Sequence, residues 1–79
     1  MNYKENTFFI KVDKSEIFRV INILKKFKCY NFVIKHNGNW NSTVRWSMKE
    51  TGKYFIMNLE NHLNKEIYSV SDMYYLANV

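Results

Sequence analysis

The sequence predicts a small α+β domain, an antiparallel-rich sheet with helices on one face. Three observations carry this: alternation from Tyr3 to Val12, a helical apolar stripe from Ile17 to Phe27, and two alternating segments around Asn37-Gly38-Asn39. At 79 residues the chain has room for one core, so residues 1–79 are expected to form a single domain. Apolar residues make up 47% and aromatic residues 18%, enough for that core without a disulfide or metal staple.

The first strand places Phe8, Ile10 and Val12 on one face and Phe9 and Lys11 on the other. Asp13-Lys14-Ser15-Glu16 then has the spacing of a capping box, in which Glu16 reaches back to the start of a helix. Ile17, Val20, Ile21, Leu24 and Phe27 form one continuous stripe on that helix. Lys25, Lys26 and Lys28 fall at its end, where cations complement the negative helix terminus.

A hairpin follows. A two-residue Asn-Gly turn would set Phe32 opposite Thr43 and Tyr30 opposite Arg45, which burial disfavours. A three-residue loop, Asn37 to Asn39, instead pairs Tyr30 with Trp46, Phe32 with Val44 and His36 with Trp40. On this register Tyr30, Phe32, Trp40 and Trp46 are core, and Phe9 and Tyr75 are the rings expected at the surface.

After Met48 two readings compete. Thr51-Gly52 followed by Phe55, Ile56, Leu59 and Leu63 reads as a capped amphipathic helix, the preferred version. Alternatively Gly52 supplies a left-handed turn and residues 53–59 form a further strand. The β-friendly stretch from Glu66 to Val79 could close the sheet beside the first strand, while Ser71-Asp72 could cap a terminal helix. The element order is βαββαβ on the preferred readings and βαβββα on the others.

Lys and Arg outnumber Asp and Glu by 12 to 7, a formal charge of +5 with a pI near 9.4. This favours nucleic acid or an acidic protein as partner. The hairpin face opposite the aromatics carries Asn31, Val33, Lys35, Asn41, Thr43 and Arg45. Lysine offers phosphate a point charge, arginine a bidentate fork, and asparagine can bond an unpaired base edge. Lys35, Arg45, Asn31 and Asn41 are therefore candidate RNA contacts. A second region combines Lys14, Arg19, Lys25, Lys26 and Lys28, expected on the opposite layer, with Lys49 and Lys53 as a possible link. Each region also has an ordinary reading, as a solvated sheet face and as helix-terminus complement.

Catalysis is not expected. Two histidines and one cysteine give no zinc spacing, and Cys29 at a strand start reads as a small apolar residue. Two glycines cannot build a phosphate-cradling loop, so no nucleotide cofactor is implied. The order βαββαβ invites comparison with the RNA-recognition motif, but its Lys/Arg-Gly-aromatic signature is missing from Trp40 to Met48. With a lone cysteine, no apolar signal segment and no run of about 20 apolar residues, a soluble protein of the reducing cytoplasm is expected.

The chain is short, rich in Lys, Asn, Ile and Tyr and free of proline, with Lys25-Lys26-Phe27-Lys28 beside an aromatic core. In this overall style it resembles small early proteins of T-even-like phages. The resemblance implies a host-takeover or anti-defence role, including inhibition of toxin–antitoxin systems through a toxin or its RNA, in the host cytoplasm. It carries over no functional residue. The reading is thus a basic RNA-binding accessory protein; the alternative is a protein-binding inhibitor that occludes an acidic or nucleic-acid-binding site of a host enzyme. A sheet edge could also pair with a second copy to give a homodimer.

Overall fold

In the computed structural model, which describes residues 6–69, the elements are β1 (Thr7–Asp13), α1 (Ile17–Lys26), β2 (Tyr30–His36), β3 (Asn41–Ser47), α2 (Lys53–Leu63) and β4 (Tyr68–Ser69). The order is the preferred βαββαβ, and the sheet runs β2-β3-β1-β4. Every neighbouring pair is antiparallel. β3 is therefore inserted between the two strands that α1 connects, the split βαβ arrangement.

Side chains of even number on β1 and β3 point to the helices because their register places Phe8 opposite Trp46, Ile10 opposite Val44 and Val12 opposite Ser42. These residues meet Val20 and Leu24 of α1 and Leu59 and Leu63 of α2 in one core. The helices run antiparallel. Arg19 near the start of α1 donates to the Leu63 carbonyl at 3.5 Å, whereas Phe27, after α1, meets Phe55 near the start of α2 with ring centroids 5.7 Å apart.

A 3-10 turn, Lys14–Glu16, precedes α1, and Glu16 Oε1 accepts from the Asp13 amide at 3.4 Å, as the capping spacing requires. At its other end α1 stops in a Schellman motif. The Lys28 amide donates to Lys25 O and the Cys29 amide to Leu24 O, both at 3.0 Å. Lys28 takes the left-handed conformation, φ 62°, and Cys29 joins Leu24 in the core. Thus Lys28 lies beyond the helix, not in its last turn.

The hairpin departs from the expected pairing. His36 faces Ser42, not Trp40, and Ile34 faces Val44. The Asn37 amide donates to Asn41 O at 2.8 Å, closing a tip of Gly38, Asn39 and Trp40 in which Gly38 has φ 101°. The tip is three residues long, as expected, but moved one position along. A two-residue change in partner preserves which face each residue occupies, so Lys35, Thr43 and Arg45 keep the outer face.

Three aromatic positions are corrected. Trp40 belongs to the tip and is 80% exposed. The shifted tip alone would set Tyr30 opposite Met48; a register irregularity between Tyr30 and Val33 adds a residue to β2, so Tyr30 pairs with Ser47, not Trp46, and is left 39% exposed. Phe9 is only 4% exposed although it lies on the outer face, where Tyr68 of β4 stacks on it at 5.4 Å. Tyr75 and the Ser71-Asp72 cap lie outside the described residues.

Candidate nucleic-acid interface

The outer face of the sheet carries two adjacent cross-strand rows. In one, Thr43 is flanked by Lys11 of β1 and Lys35 of β2; in the other, Arg45 is flanked by Phe9 and Val33. Strand spacing puts Lys11 and Lys35 roughly 10 Å apart, with Arg45 diagonal to both. All three cations are exposed. None of the three takes part in an ion pair among the described residues. Asn41 is exposed on the same face, one row beyond Lys11 and opposite Asp13. Phe9 and Tyr68 cover the β4 side, so the open half is formed by β2 and β3 with Lys11 at its margin.

Asn31 does not join this face as a regular strand residue. It sits in the irregularity with φ 57°, a conformation asparagine tolerates better than most residues, and its role there is in the backbone. Lys11 was legible as an outer-face residue of β1, but its neighbours depend on β1 pairing with β3, which local sequence does not fix.

The second basic region separates into parts. Arg19 is committed to the fold: Nη2 lies 3.0 Å from Glu16 Oε2 and also donates to Leu63 O. Lys25 and Lys26 are exposed in the last turn of α1. Lys26 and Lys28 line a groove of about 610 Å³ with Lys49, Glu50 and the rings of Phe27, Tyr30 and Phe55. Lys49 shares this lining with Lys26 and Lys28, whereas Lys53 is not part of it, and none of Lys35, Asn41, Thr43 or Arg45 lines it. Since Tyr30 pairs with Ser47, the groove opens at the margin of the outer sheet face.

The reactive groups are otherwise engaged. Burial pushes the Cys29 thiol up to about 12, and its sulfur lies 3.9 Å from Met48 Sδ in the core. His36 Nδ1 bonds Ser42 Oγ at 2.8 Å, and His62 Nδ1 bonds the Asn58 carbonyl at 3.0 Å. Among the described residues no group of three or more His, Cys, Asp or Glu side chains could hold a metal ion. No described helix is long and apolar enough to cross a membrane.

Compared with known proteins, the chain matches no family model, no curated protein and no solved structure. The site has therefore to be read from its own chemistry. A four-stranded sheet with one open face is also the platform of the RNA-recognition motif. Here the central strands offer that face Lys11, Thr43 and Arg45, and the β1 ring, Phe9, is buried.

Proposed function

We propose that this protein binds RNA on the open half of its outer sheet face. The observation that carries the reading is the Lys11, Thr43, Lys35 row beside Arg45: three exposed cations on rigid strands, free of ion pairs among the described residues. Phosphates neutralised there release counterions, so affinity comes mainly from the backbone and carries modest sequence preference. The resemblance to small early phage proteins supports an anti-defence setting, in which the bound RNA belongs to a toxin–antitoxin system of the host.

The test is filter binding of the nuclease-treated protein to a structured RNA across a salt series. Three phosphate contacts predict a log–log slope of about −2 to −3. Lys35→Glu/Arg45→Glu should abolish most of it. Absence of binding at low salt overturns the proposal.

A second reading, a protein-binding inhibitor, is favoured by a different observation. Phe18 on α1, Tyr54 on α2 and Trp40 at the hairpin tip expose large apolar side chains, the material of interface anchors. Stoichiometric capture of one nuclease-treated partner, lost on Trp40→Ala or Tyr54→Ala, distinguishes it from RNA binding.

A further inference from the structure

The groove at the end of α1 differs from the sheet face in having rings among its cations. Lys26, Lys28 and Lys49 supply three ammonium groups, and Tyr30, Phe27 and Phe55 supply aromatic surface, all on one lining. Interleaved cations and rings suit single-stranded nucleic acid, whose bases stack while its phosphates meet the charges. A duplex hides its bases in the stack and offers such a groove phosphate only. Glu50 is the one carboxylate on the lining among the described residues; ionised, it accepts hydrogen bonds and so matches the donor edge of a base, not a phosphate.

The backbone gives an independent reason. Lys28 occupies the left-handed position of the Schellman motif, with φ 62°, where glycine is the unstrained residue. Lys25 and Lys26 already complement the helix terminus, so the fold gains little by a third lysine held in an unfavourable conformation. Asn31, three residues on, is also left-handed, with φ 57°. Two such residues flank Tyr30 closely, and Lys28 and Tyr30 both line the groove; conformations of this kind gather at functional sites.

We propose that the groove takes one unpaired nucleotide of an RNA strand, its base against Tyr30 and Phe55 and its phosphates on Lys28 and Lys49. This rests on the RNA-binding reading and deepens it by making the preferred ligand single-stranded. The strand continues from the groove onto the outer face, where Lys35 lies on the order of 15 Å from Tyr30 along β2. The sheet face then supplies charge, and the groove selects unpaired over paired RNA.

The experiment measures fluorescence anisotropy of a labelled single-stranded RNA oligonucleotide and of the same strand annealed to its complement, with the full chain. The single strand should bind about tenfold more tightly, and Tyr30→Ala should remove most of that margin while leaving duplex affinity unchanged. Lys28→Gly should weaken the single strand several-fold and raise Tm, a combination that loss of fold cannot produce and that decides the matter if Tyr30→Ala fails to fold. Equal affinity for both RNAs, or a Lys28→Gly protein with unaltered affinity, overturns the groove. If Lys35→Glu/Arg45→Glu still abolishes binding in that case, the sheet-face reading stands without it; if neither RNA binds the parent protein, both fall.

Discussion

The Lys65 ammonium lies 2.9 Å from Glu16 Oε1, and Oε2 of the same carboxylate takes Arg19 Nη2 at 3.0 Å. One side chain thereby ties the start of α1 to the turn after α2. The bond from Lys65 is the largest influence on the Glu16 carboxyl; desolvation, the next, opposes it, and the bonds from Arg19 and the Asp13 amide add to Lys65 so that the carboxyl is held below its ordinary value. A depressed folded value means stability that is present above the unfolded carboxylate pKa, about 4.3, and is lost as pH falls through the folded value. Glu16→Gln should therefore be less stable than the parent at pH 7 by less than about 1 kcal/mol, the scale of exposed pairs. Urea midpoints of the two should converge at low pH; a gap independent of pH would rule out the ionic contribution.

Phe9 and Trp40 exchange the places that alternation alone assigns them. Phe9→Ala should cost about 3 kcal/mol, since it empties a buried site and strips Tyr68 of its stacking partner. Trp40→Ala should stay within about 0.5 kcal/mol, because the indole is exposed and what Trp40 gives the fold is its carbonyl, which accepts from the Lys14 amide at 3.0 Å. Thermal melts of the two variants check the ranking. The opposite order would restore the core reading of Trp40.

The same two residues show where the sequence is legible and where it stops. The α1 stripe, the Glu16 cap and the Leu59 and Leu63 positions of α2 depend on periodicity within one element, and the structure has them as read. The face occupied by Lys35 and Arg45 depends only on parity, so it survived an error in the pairing partner. Burial of Phe9 depends on β4 pairing with β1 about sixty residues away; the β-friendly composition after Glu66 points to that pairing, but not to Tyr68 as the ring set directly against Phe9. The groove is still less local: Tyr30 follows Lys28 in the chain, but Lys49, Glu50 and Phe55 join Lys26 and Lys28 on one lining only through the tertiary fold.

Asn31 provides a test of the irregularity in β2. With φ 57° its backbone admits glycine freely and asparagine tolerably, while a β-branched side chain clashes. Asn31→Gly should be within about 0.5 kcal/mol of the parent, and Asn31→Val should lose about 1–2 kcal/mol despite valine's preference for strands. Chemical denaturation of both variants distinguishes the cases. A stabilising valine would mean that β2 can revert to the regular register with Tyr30 facing inward.

Met48 is buried with its sulfur facing two donors, Trp46 Nε1 at 3.5 Å and Cys29 Sγ at 3.9 Å. Trp46 is the largest fully buried side chain, and the sulfur is the acceptor its N–H finds among the described residues. Met48→Leu nearly conserves volume, a change that costs under about 1.5 kcal/mol when packing alone is at stake. It also orphans the indole N–H, which adds about 1–3 kcal/mol of uncompensated desolvation. The total should be about 2 kcal/mol. Trp46→Phe removes the donor, so in a double-mutant cycle Met48→Leu should cost about 1 kcal/mol less in the Trp46→Phe background. Strict additivity would show that the sulfur serves only to fill space beneath Trp46.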